Sequence, residues 1–229
     1  ANPGNAEFLE LLAQTQSANG DKQASLDNYN KLAVLMPDSA PVQFRIASTY
    51  AILQNDTAAS GALKKALRID PNYLEAYVAL AGLEAKKGNY EEILSISRQV
   101  QKQQVKSPIG HVLEGDALIA QKKPELAVKA YERAIALNQN GQLITKLHGA
   151  LTQSGKGKEA DSRLAQWMKE HPADTLARMY VGQVNLGNRQ YKAAIEHFHT
   201  VLKTEPKKDA ALNNLAFPYD QEKDPRALE

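Results

Sequence analysis

Prolines recur at Pro3, Pro37, Pro71, Pro108, Pro172 and Pro206, with gaps of 34, 34, 37, 64 and 34 residues. The 64-residue gap is two periods if Gln139 fills a missing proline place. A chain that repeats itself at this interval does not gather around one central core. Each unit buries its apolar face against the next, and stability is shared along the array.

The interior of each unit agrees with the markers. Ser25/Tyr29/Leu32, Ala59/Leu63/Ala66, Ile93/Ser97/Val100, Ala127/Tyr131/Ala134, Ala160/Leu164/Trp167 and Ala194/Phe198/Val201 share spacings of 4 and 3. Such spacing puts each triplet on one helical face. Upstream of each stands a pair: Leu12-Ala13, Ile46-Ala47, Leu80-Ala81, Glu114-Gly115, Leu147-His148, Val181-Gly182 and Leu215-Ala216. A large residue beside a small one lets two helices approach closely. Between the two segments lie turn signals, at Gly20-Asp21, Asn55-Asp56, Gly88-Asn89, Gly155-Lys156 and Gly187-Asn188. Lys123-Pro124 opens a helix, because proline's missing N–H is harmless at a first helical position. Ser39, Asp174 and Asp209 are expected N-caps. No segment alternates with the period of a strand.

The pattern predicts helices over 6–18, 22–35, 40–53, 56–69, 73–87, 90–104, 108–121, 124–137, 140–154, 157–171, 174–187, 190–204 and 208–222. A helical pair of about 34 residues resembles the tetratricopeptide repeat. That resemblance implies an all-α fold, a right-handed superhelix of antiparallel helix pairs. The expected units in this single solenoid, 1–229, are about 6–39, 40–73, 74–107, 108–140, 141–174, 175–208 and an incomplete 209–229. Two irregularities stand out. The stretch before Pro108 is three residues long for the period, which predicts a longer second helix or loop. Pro218 falls inside a predicted helix, which is expected to kink or stop near Phe217. Pro3 and Asp224-Pro225 read as parts of further units, so the chain is expected to be an excerpt of a longer array whose ends self-associate.

Composition narrows the function. Lys+Arg number 28 against 26 Asp+Glu, a net +2 that supplies no field for nucleic acid. Cysteine is absent, which removes disulfides, thiolate metal sites and Cys nucleophiles together. No apolar run is long enough to span a membrane. His111, His148, His171, His197 and His199 contain no i,i+4 pair. His197 and His199 diverge by about 200° on a helix. His148 and His111 fall at packing places and His171 ends a helix. Gly155-Lys156-Gly157-Lys158 has no preceding strand and reads as a turn rather than a phosphate loop. No catalytic, cofactor or metal set emerges.

What remains is the inner face lined by first helices. Its expected lining is Phe44, Ser48, Val78, Val112, Asp116, Ile119, Thr145, Met179, Gln183 and Leu186, with Gly82 and Gly149 among the small residues. This face is mildly apolar and suits an extended or helical peptide segment of a partner protein. The Lys and Asn of carboxylate-gripping repeats are replaced here by Glu10/Gln14, Phe44/Ser48 and Val78/Gly82. Phe44 and Phe217 are the aromatics available for a glycan. A polysaccharide-handling module, or the regulatory part of an enzyme lying outside this chain, stays open beside the scaffold reading.

A finer resemblance rests on three stretches. They are Ala211-Leu-Asn-Asn-Leu-Ala216 followed by Asp224-Pro-Arg-Ala-Leu-Glu229, Leu164-Ala-Gln-Trp167 leading to His171-Pro-Ala-Asp174, and Gly110-His-Val-Leu-Glu-Gly-Asp116. These are similar to the long tetratricopeptide lipoproteins of PEP-CTERM/exosortase systems, although Phe217-Pro218 departs from the Trp and aliphatic residue of that family. The resemblance implies a bacterial periplasmic or outer-membrane-associated protein, anchored through a lipidated Cys outside this sequence. It would accompany exopolysaccharide production and the sorting of PEP-CTERM proteins.

Overall fold

The triplet spacing becomes burial. All eighteen residues of the six triplets are buried, from Ser25, Ala59 and Phe198 at 0% exposure to Leu164 and Trp167 at 6%. The structure, a computed structural model, describes residues 5–223. Pro3 and the Asp224–Glu229 segment, to which expectations were attached, lie outside the described residues.

Among the described residues there are thirteen helices and no strand. They are α1 (Ala6–Ala18), α2 (Lys22–Leu35), α3 (Ala40–Ile52), α4 (Asp56–Ile69), α5 (Leu74–Lys86), α6 (Tyr90–Gln103) and α7 (Ile109–Ala120), then α8 (Pro124–Leu137), α9 (Gly141–Gln153), α10 (Gly157–Glu170), α11 (Thr175–Gly187), α12 (Tyr191–Thr204) and α13 (Asp209–Gln221). The fold is all-α, built of antiparallel neighbours, and each helix packs mainly on helices one or two places away in the chain. The helices form two compact bodies, divided between Lys122 and Lys123. The first holds α1–α7 and the second α8–α13.

Small residues set how closely paired helices approach. In the first body the Ser25 hydroxyl donates to the Ala13 carbonyl at 2.8 Å, which fastens α2 to α1. In the second, Gly182 of α11 gives way to Phe198 of α12. A Cβ at Gly182 would lie 2.5 Å from the Phe198 ring.

Helix starts follow local chemistry at Ser39, Asn55, Asn140 and Asp174, whose side chains accept the N–H of residues 42, 58, 143 and 177. Asp209 is different. It is the first residue of α13 and Lys208 occupies the cap. There its carboxylate favours the positive end of the helix dipole instead of capping an N–H.

Helix ends also differ from expectation. Gly20, Gly88 and Gly155 take the left-handed conformation, with φ of 92°, 73° and 80°. At two other predicted turns the residue that does so is not the expected one. Gln54 does it before Asn55, and Arg189 does it after Gly187, which closes α11 as a helical residue. Packing of the next helix imposes the reversal even where a side chain opposes it, at a cost of about 1–2 kcal/mol per residue.

The two irregularities resolve differently. α6 has 14 residues, as α4 does, and the connection 104–108 is only one residue longer than 70–73, so most of the three-residue excess is a displacement of the proline itself. Pro108 is the N-cap of α7, and Val105 takes the place that Pro71 holds one repeat earlier. Nor does Pro218 stop its helix, because α13 continues to Gln221. Proline removes one donor near the end of a helix, where the Glu222 N–H still closes the turn on the Pro218 carbonyl at 3.0 Å. Its ring is fully buried, which offsets the lost bond.

Candidate functional site

Six of the ten expected lining residues belong to the first body and four to the second. In the first body, α5 and α7 bring Val78 and Asp116 to one depression of about 270 Å³. Its walls are Ala81, Ala85, Leu113 and Ala117, with Tyr90 and Ile93 of α6. The depression exists because small side chains face each other there. A Cβ added at Gly82 would meet nothing within 4 Å, so the helix surface is open at that point. Val78 is 43% exposed at its edge. The volume lies below the roughly 300–1,000 Å³ of pockets that enclose small ligands. It fits one apolar side chain offered by a peptide.

The remaining residues are distributed more widely. Phe44 is half-buried against the α3–α7 core, edge-on to Tyr73 at 5.5 Å between ring centres. The Ser48 hydroxyl donates to the Phe44 carbonyl at 2.9 Å. Val112 and Ile119 are half-buried on α7. In the second body the Thr145 hydroxyl donates to the Gln142 carbonyl at 2.9 Å. Gln183 is exposed, and Leu186 packs on the α11–α13 core. Met179 corrects the expectation. It is 8% exposed, packed with Phe198 and Leu215, because its unbranched chain fills the gap in that core and offers no surface.

Sequence reasoning missed Leu113, Ala85, Ala117 and Ala120 as lining residues. The only signal for the three alanines was the pairing of small residues on α5 and α7, which acquires meaning once the two helices are neighbours.

The α5–α6 turn that carries Ala85 and Tyr90 is fixed by a buried carboxylate. Glu84 is 6% exposed. Asn89 Nδ2 donates to its Oε2 at 2.7 Å and Lys87 Nζ to its Oε1 at 2.9 Å. The Asn89 bond, then the Lys87 bond, hold the carboxyl below its ordinary value against the opposing effect of burial. A carboxyl lowered on folding stabilises fully above its unfolded value of about 4.3, and that contribution is lost as pH falls through the folded value. The melting temperature of the wild type will therefore drop more steeply below about pH 4.3 than that of Glu84→Gln, in thermal unfolding followed by circular dichroism. Parallel profiles would remove Glu84 from the account.

The histidines serve packing. His148 is 6% exposed where other repeats have Ala or Gly. The Asp161 carboxylate can only accept, so His148 Nε2–H donates to it at 3.2 Å, and Nδ1 accepts from the Tyr180 hydroxyl at 2.9 Å. His171 stacks on Trp167 with ring centres 3.6 Å apart. Among the described residues, no three His, Cys, Asp or Glu side chains come together as a metal site, and no helix is long and apolar enough to cross a membrane.

The family model of the tetratricopeptide repeat matches residues 40–73 and 111–140. Those two stretches are tetratricopeptide repeats. Solved structures share the fold. MamA from Desulfovibrio magneticus RS-1 is 17% identical, with a TM-score of 0.61 over 76% of this chain and 98% of that one. A tetratricopeptide repeat protein from Parabacteroides merdae ATCC 43184 is also 17% identical, with a TM-score of 0.69 over 95% and 86%. Yeast Tom70 is 18% identical, with a TM-score of 0.74 over 97% of this chain and 48% of that one. At these identities the likeness is one of fold. No curated protein sequence matches, so the lipoprotein resemblance of this repeat chain stands on its motifs alone.

Proposed function

We propose that this repeat chain is a non-catalytic scaffold that binds a partner protein by seating an apolar side chain of a peptide segment in the depression around Gly82. The observation that carries this reading is an apolar hollow on paired first helices, open because Gly82 and the facing alanines leave it unfilled. Burying one aliphatic side chain there contributes about 1.5–3 kcal/mol. Neighbouring main-chain and side-chain contacts along α5 and α7 supply the rest. Peptides selected from a displayed library on the wild-type chain should carry an aliphatic or aromatic anchor. They should lose about a hundredfold in affinity on Val78→Asp, which puts a charge at the edge of the hollow. Equal affinity for both proteins would reject the site. Competition by an exopolysaccharide in the same assay would instead favour the polysaccharide-handling reading.

The three lipoprotein-like stretches support a place in the bacterial cell envelope, beside exopolysaccharide production or the sorting of PEP-CTERM proteins. Recovery of the native protein in the cytosolic fraction would overturn that placement.

A further inference from the structure

Glycine follows asparagine at two places in the chain, Asn19-Gly20 and Asn140-Gly141. In such a dipeptide the backbone nitrogen of the glycine can attack the asparagine Cγ, because the second residue has no Cβ to block the approach. Local structure decides whether it does so, and the two places differ.

Asn140 is the N-cap of α9, and its Oδ1 accepts the Leu143 N–H at 3.0 Å. Its carbonyl accepts the Ile144 N–H at 3.1 Å. Gly141 is buried beneath Asp174, whose Oδ2 would lie 2.0 Å from an added Cβ. That carboxylate is held in turn by the Trp167 indole and the Ala177 N–H. Ring closure at Asn140 therefore breaks a helix cap and disturbs the α10–α11 junction.

Asn19 is the C-cap of α1, in a turn where Ala18, Asn19, Gly20 and Asp21 are all exposed. The Asn19 side chain makes no hydrogen bond among the described residues. Gly20 holds the left-handed conformation, with φ of 92° and nothing within 4 Å of an added Cβ. Its N–H meets the Ser17 carbonyl at 3.3 Å, just beyond the usual range. Opening this turn frees the attacking nitrogen and uncovers no core.

We propose that Asn19 is a site of spontaneous deamidation and that Asn140 is protected from it. The Gly20 nitrogen bonds to Asn19 Cγ and gives its proton to water. The Cγ–Nδ2 bond breaks, and Nδ2 takes up a proton and leaves as ammonia. Water then opens the cyclic imide at either carbonyl, which yields aspartate or isoaspartate. Both products put a negative charge at the C-terminal end of α1, where the helix dipole disfavours it. Isoaspartate also routes the main chain through Cβ and so lengthens the link between α1 and α2. Its free carboxylate is a methyl acceptor of the class that isoaspartyl methyltransferases use.

The test is peptide mapping by mass spectrometry of the folded protein, incubated at mildly alkaline pH. Isoaspartate is read in parallel by enzymatic methyl transfer from labelled S-adenosylmethionine. Conversion of amide to acid at Asn19 should outpace that at Asn140 by at least about tenfold. In denaturant the two rates should converge, since both asparagines precede glycine. Asn19→Gln should match the melting temperature of fresh wild type, and should abolish both the methyl acceptance and the fall in melting temperature on incubation. Comparable rates at the two asparagines in the folded protein, a difference that persists undiminished in denaturant, or no conversion at Asn19 would overturn the proposal.

Discussion

Trp167→Ala will cost about 3–5 kcal/mol of stability, measured by chemical unfolding followed by circular dichroism. Trp167 is the only tryptophan of the chain and is 6% exposed, packed with Ile144, Leu164 and Ala177. Its loss removes more than apolar area. The indole Nε1–H donates to Asp174 Oδ2 at 2.8 Å, while Asp174 Oδ1 accepts the Ala177 N–H at 3.0 Å and caps α11. One carboxylate thus joins the end of α10 to the start of α11. It also occupies the space over Gly141, where a Cβ would lie 2.0 Å from Asp174 Oδ2. Trp167→Phe keeps most of the packing and loses the N–H, so it should cost about 1–3 kcal/mol. A cost below about 1 kcal/mol for the alanine variant would mean that the indole anchors nothing.

The second large effect belongs to the pair Phe198 and Gly182. Phe198 is 0% exposed, and Phe198→Ala should cost about 3–5 kcal/mol. Gly182→Val should also destabilise, by about 1–3 kcal/mol, because the new Cβ would overlap the ring at 2.5 Å. The two changes should be strongly non-additive. Once the ring is gone, valine at 182 occupies space that alanine at 198 leaves empty, so the double variant should be more stable than the sum of the single losses predicts. Additive losses would show that the glycine does not serve the close approach of α11 and α12.

Much of the fold was legible because its signal is local and repeated. Ser25/Tyr29/Leu32 and its five counterparts each declare a helix face without knowledge of the rest of the chain, and repetition removes chance matches. What failed was set by neighbours. Gln54 and Arg189 adopt positive φ because the following helix must turn back, not because their side chains favour it. Pro218 survives inside α13 because it lies close to the end and its ring is buried. Pro108 stands three residues off the rhythm and is the N-cap of α7, while Val105 holds the marker place. The site was less legible than the fold. Val78 and Asp116 come to one depression, whereas Met179 turns inward, because a helical face fixes direction only to within a side chain's own flexibility. The hollow itself needed α5, α6 and α7 together.

In the proposed function, a gap left by small residues does the work rather than a reactive group. Gly82→Leu tests it most directly. Nothing lies within 4 Å of the new Cβ, so the side chain has room to enter the hollow. It also replaces a mid-helix glycine, which favours the helix by roughly 0.5–1 kcal/mol. Affinity for the selected peptides and melting temperature, measured on the same Gly82→Leu sample, should move in opposite senses. Binding should be about a hundredfold weaker, with a melting temperature equal to or above that of the wild type. Undiminished binding by this folded protein would contradict it.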